Sequence, residues 1–176
     1  MNNTSRTSRI FVLNGSPRAG KNTFVDMIPN ALHYSYVDLT RRMLDTEGIN
    51  YKFKSNSARV MLETINNALE EYDDIPFKDI CGITDNFLNE HLKADYLFVD
   101  IRKPENIKRF VEKYKGARTV YVDNKKPLSS ATLSDSVVTD YEYDFYIDNS
   151  SSLENLTKEV VRFITTVEGE NRWNTY

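Results

Sequence analysis

Five short apolar runs punctuate the chain, at 10–13 (Ile-Phe-Val-Leu), 34–37, 96–99, 119–122 and 144–147. Each has the length of a β-strand, and those apolar at every position suit central parallel strands covered on both faces. Between them, apolar positions recur at helical spacing over 21–32, roughly 39–45, 57–72, 104–114 and 153–167. In the longest of these, Met61, Ile65, Ala68, Leu69 and Tyr72 share one face, with polar residues between them. Pro104 stands at a helix start, where its missing N–H costs nothing. Ser152 is placed to cap the last helix, with Asn155 a poor match to the capping-box position. Ile75-Pro76-Phe77 reads as a break after the long helix, followed by a short packed turn. Strand and helix in alternation predict a three-layer αβα sandwich around a five-stranded parallel sheet.

No internal repeat is visible. The pattern places one domain over 9–167, between a disordered stretch at 1–8 and a tail at 168–176. The stretch 48–93 is long for a simple crossover and reads as a helical insertion between the second and third strands. Its acidic run, Glu70 to Asp74, reads as a solvated helix end. Trp173 in the tail is either stray or docked.

The first strand runs into Gly15-Ser16-Pro17-Arg18-Ala19-Gly20-Lys21-Asn22-Thr23, which fits the phosphate-loop pattern G-x-x-x-x-G-K. Two glycines let the backbone curl so that successive N–H groups point inward, and the following helix adds the positive end of its dipole. Lys21 supplies a point charge for the β- and γ-phosphates. Asn22 stands where the pattern has Ser or Thr, and the hydroxyl comes one place later, at Thr23.

Composition narrows the field. The formal net charge of -3 and pI of about 5.5 argue against a chain that coats nucleic acid. The lone Cys81 excludes an internal disulfide or a cysteine-cluster metal site. His33 and His91 lack ligand spacing and read as structural or surface residues. The polar N-terminus is no signal peptide, and no apolar run approaches a membrane span of about 20 residues. A cytoplasmic location, with no membrane partner, is the expectation.

The G-K-x-T ending resembles the nucleoside monophosphate kinases, which include adenylate kinase and the phage deoxynucleoside monophosphate kinases. A second segment carries the same resemblance: the strand Tyr96-Leu97-Phe98-Val99 leads into Asp100, Arg102, Pro104 and Glu105. This is similar to the Asp-x-Arg-x-Pro signature of the deoxynucleoside monophosphate kinases. Weaker likenesses extend over 10–165. Asp38, Arg41 and Arg42 follow the second strand, where the monophosphate site opens. Lys54 and Arg59 resemble the basic pair of the substrate-covering helix, and Asn149 falls in the loop beside the ATP base. An arginine-rich lid is not evident; Lys125, Lys126 and a Ser/Thr-rich segment stand in its place.

The resemblance implies an ATP-dependent, Mg²⁺-assisted kinase of a small nucleotide acceptor. Lys21 and the loop residues 15–23 (Gly15, Ser16, Pro17, Arg18, Ala19, Gly20, Lys21, Asn22, Thr23) would hold ATP, with Asn149 beside the base. Thr23 and Asp100 would organise Mg²⁺. Arg102, Arg59, Lys54, Asp38, Arg41 and Arg42 would form the acceptor site, and Arg18 would reach the transferring phosphate. Lys21, Arg102, Asp100 and Arg18 would thus form the catalytic set. Two alternatives stand beside this one: a kinase of another acceptor, such as a hydroxymethylated pyrimidine in DNA or a coenzyme precursor, and a nucleotide-binding module without chemistry. The oligomeric state, a homodimer included, is left open.

Overall fold

The computed structural model describes residues 9–16, 18–51, 55–125 and 141–173. Five strands form one parallel sheet: β1 (Ile10–Gly15), β2 (Ala31–Ser35), β3 (Tyr96–Asp100), β4 (Arg118–Asp123) and β5 (Phe145–Asp148), in the order β2-β3-β1-β4-β5. The described helices are α1 (Lys21–Asp26), α2 (Asp38–Thr46), α3 (Asn56–Asp73), α4 (Ile75–Leu88), α5 (Pro104–Lys113) and α6 (Leu153–Trp173).

Alternation along β1 assigns the two faces. Phe11 and Leu13 face a core shared with Phe24 and Val25 of α1 and Val160 and Phe163 of α6. Ile10 and Val12 face the other, built with Phe77 and Ile80 of α4 and Ile107 and Phe110 of α5. The first core is aromatic: Phe11 stacks on Phe98 at 5.1 Å, and Phe163 meets Phe11 edge-on at 5.0 Å. Such pairs add directional attraction to the burial of apolar area, fixing how α6 lies on the sheet.

Several elements depart from the sequence pattern. The helix expected over 21–32 ends at Asp26, and 31–35 is β2. Pro29 cannot continue a helix, and Asn30 takes a left-handed φ of 53° that turns the chain into the strand. Tyr36 and Val37, expected in that strand, lie in the turn after it; the Tyr36 amide still donates to the Asp100 carbonyl at 3.0 Å. The short turn expected at 75–77 is the first turn of α4, where Pro76 starts the helix instead of breaking it. Asp74, at φ 54°, ends α3 and begins α4, so the two helices meet at a single left-handed residue. Helix α6 runs to Trp173, beyond the expected end near 167; Val167 is buried, and Tyr96 donates to Glu168 at 2.5 Å. The expected Ser152 cap is present, its hydroxyl accepting from the Asn155 amide at 3.3 Å.

Candidate active site

The carboxyl ends of β1 and β3 converge where the glycine-rich loop leaves the sheet. Gly15 (φ 145°) and Gly20 (φ 91°) both need backbone conformations that side chains disfavour. Both are also sterically confined: a Cβ on Gly15 would lie 2.3 Å from the Val122 carbonyl, and one on Gly20 2.2 Å from Asn149 Nδ2. Two amides from the neighbouring strand ends hold the loop's carbonyls. Asn149 Nδ2 donates to Ala19 O at 2.7 Å, and Asn124 Nδ2 to Arg18 O at 3.1 Å. With its carbonyls tied back, the loop's shape is set before any ligand arrives.

Lys21 is the first residue of α1, yet only 8% exposed. Its ammonium donates to Gly15 O at 2.8 Å and lies 3.9 Å from Asp100 Oδ2. Asp100 ends β3 and is equally buried; its Oδ1 has no hydrogen-bond partner among the described residues. An ionised, buried carboxylate oxygen without a partner is costly, so this oxygen is suited to a ligand's cation or donor. Thr23, exposed on the first turn of α1, offers a second oxygen to the same space.

These residues form one wall of a cleft of about 980 Å³. Arg18, Ala19, Gly20, Lys21, Asn22 and Thr23 line it from the loop, Asp100 and Arg102 from the sheet edge, Asp38 and Arg41 from α2, and Arg59 from α3. Arg41 is held by Asp38 at 2.6 Å, and Asp38 also accepts from the Ser35 amide at 2.6 Å, which fixes the β2–α2 turn. Not every expected residue enters the cleft. Gly15, Ser16 and Asn149 are not among its lining residues, and Asn149 instead braces the loop through the Ala19 carbonyl. Arg42 points outward and pairs with Asp79 of α4 at 2.7 Å. Pro17, Lys54 and Lys126 lie outside the described residues; Lys125 pairs with Asp148 at 3.0 Å.

The cleft also holds residues that the sequence reading passed over. Glu70, read as part of a solvated run, accepts from Asn106 Nδ2 and Lys103 Nζ, each at 2.6 Å, and from the Tyr36 hydroxyl at 3.4 Å. Burial, reinforced by the Glu70 carboxylate, pushes the Tyr36 phenol up, so it stays a neutral donor. Glu70 and Arg59 are eleven residues apart on one helix, which returns them to the same face; that spacing was the available signal. His33, on β2, also lines the cleft, and burial lowers its pKa below 6.5 despite the nearby Asp100.

No family model and no curated protein matches this sequence. Among solved structures, dephospho-CoA kinase from Campylobacter jejuni aligns with a TM-score of 0.55 over 90% of this chain and 97% of that one, at 16% identity. The chain shares the architecture of that protein. A protein from Thermus thermophilus aligns with a TM-score of 0.44 at 13% identity, covering 89% of this chain and 96% of that one. The likeness to the Campylobacter jejuni protein, at 16% identity, speaks for the architecture alone: a five-stranded parallel sheet with helices on both sides. Among the described residues, no helix is long and apolar enough to cross a membrane.

Proposed function

We propose that this protein transfers the γ-phosphate of ATP to a nucleoside or deoxynucleoside monophosphate. The observation that carries the reading is one cleft lined both by the glycine-rich loop, from Arg18 to Thr23 with Lys21, and by three further arginines, Arg41, Arg59 and Arg102, together with Asp100. Phosphoryl transfer asks mainly for alignment and charge neutralisation. Lys21 and the loop amides hold the donor phosphates. The arginines grip the acceptor phosphate, a task suited to a planar fork that pairs two oxygens at once. Arg18, which lines the same cleft, stabilises charge on the moving group. An acceptor phosphate is nucleophilic once aligned, so no histidine or cysteine has to activate it.

Thr23 and the unpartnered oxygen of Asp100 fit a hard cation such as Mg²⁺, which takes oxygen ligands and keeps much of its water. When bound, Mg²⁺ would neutralise charge on the phosphate oxygens. The span 48–93 then serves as the substrate-covering part of the domain, with α3 carrying Arg59 over the acceptor. The shared fold with a dephospho-CoA kinase supports a second reading, a coenzyme precursor as acceptor. A panel of nucleoside and deoxynucleoside monophosphates plus dephospho-CoA, incubated with ATP and Mg²⁺, tests both. Formation of a diphosphate with equimolar ADP supports the first reading, phosphorylation of dephospho-CoA alone supports the second, and ADP no faster than without acceptor contradicts both.

A further inference from the structure

We propose that Asn14, which has no place in the phosphate-loop pattern, is the positioning residue that fixes the donor loop relative to the acceptor arginine. Asn14 is the next-to-last residue of β1 and is fully buried. A buried amide must have its hydrogen bonds met, and here each goes to a different part of the site. Oδ1 accepts from the Gly15 amide at 2.8 Å, at the start of the glycine loop. Nδ2 donates to the Arg102 carbonyl at 3.2 Å and to the Tyr143 hydroxyl at 2.9 Å.

The backbone explains why a side chain is needed at this point. The β1–β3 register runs from Ile10↔Leu97 to Leu13↔Asp100 and stops there. One residue later the two chains part, Gly15 curling into the loop and Arg102 leading towards α5. The Asn14 amide spans that gap and continues the connection where the ladder ends. Asn14 is not among the residues that line the cleft. It sets the distance between the loop that holds the donor and the backbone that carries Arg102. In-line transfer is sensitive to that distance, since a displacement of about 1 Å costs on the order of a hundredfold in rate.

This inference rests on the phosphotransfer reading above, and one set of kinetic measurements separates the two. Asn14→Asp keeps the acceptor for Gly15 but turns the arm facing the Arg102 carbonyl from donor to acceptor. Asn14→Leu removes both arms at similar volume. Each should lower kcat by roughly ten- to a hundredfold while both KM values stay within about threefold, because alignment is lost and binding is not. Tyr143→Phe removes one contact but leaves the Gly15–Asn14–Arg102 connection, and should hold kcat within about threefold. Melting curves report folding, and Asn14→Asp carries the test if Asn14→Leu does not fold. Wild-type kinetics in Asn14→Asp, a loss confined to the KM for ATP, or an equal loss in Tyr143→Phe would overturn the role of Asn14. If the wild-type chain phosphorylates no acceptor, the phosphotransfer reading fails, and the inference falls with it.

Discussion

Lys21 makes its contacts with the loop carbonyl of Gly15 and the carboxylate of Asp100, and it lines the cleft. Lys21→Ala should therefore leave the melting temperature within a few degrees and lower turnover by about a hundredfold or more, as expected for a lost charge contact in a water-poor site. Turnover close to wild type would remove the loop from the chemistry. Gly20→Ala places a methyl group against Asn149 and demands a strained φ; it should weaken ATP binding in a titration even where the acceptor still binds. His33 makes a different prediction. Its folded pKa lies below 6.5, so the unfolded chain takes up the proton first as pH falls. Its contribution to stability is complete above pH 6.5 and is lost as pH falls below that value towards the lowered folded pKa. Urea unfolding of wild type and His33→Asn between pH 5 and 8 should show a steeper acid loss in the wild type, and parallel curves would contradict it. Lys21, Asp100 and Arg102 were legible in the sequence because each sits at a fixed offset from a strand end. Asn14, His33 and Glu70 were not, since a polar residue's burial depends on what packs over it from distant sequence.

Helix α3 is tied down along one half. Asn66 accepts from Thr40 at 3.2 Å, Glu70 collects Lys103, Asn106 and Tyr36, and Asp74 at its end pairs with Arg109. The other half carries Ala58, Arg59 and Leu62 over the cleft. Glu70→Ala would leave buried donors unmatched and should destabilise the fold by about 1–3 kcal/mol in chemical denaturation. Arg59→Ala and Arg102→Ala should instead weaken acceptor binding about ten- to a hundredfold, with little change for ATP, when each ligand is titrated separately. Equal losses for both ligands would take the two arginines out of the acceptor site. At this scale the sequence was legible where the apolar period was clear, as in α3, α5 and the strands other than β2. It misled at Pro76 and Pro29, because the same residue type can open a helix or prevent one, and only its place relative to the apolar face decides. Phe77, Ile80, Cys81, Thr84 and Phe87 do share a buried helical face, and that periodicity outweighs the proline.

The whole molecule sets a rigid sheet edge against a helical overhang. β1, β3 and their cores fix the loop and Asp100, while α2–α4 enter between β2 and β3, and α2 and α3 line the cleft. A kinase that left water at the transferring phosphate would hydrolyse ATP, so a roof that tightens when both substrates are present is the expected working motion. α3, which carries Arg59 at the cleft, is the element expected to make it. Hydrogen exchange with a bisubstrate mimic, adenosine joined to a nucleoside through several phosphates, measures this directly. If one cleft holds donor and acceptor together, the mimic will protect both the loop at 15–23 and the first half of α3, and ATP alone will protect only the loop. A mimic that binds tightly yet protects the loop alone would contradict the account.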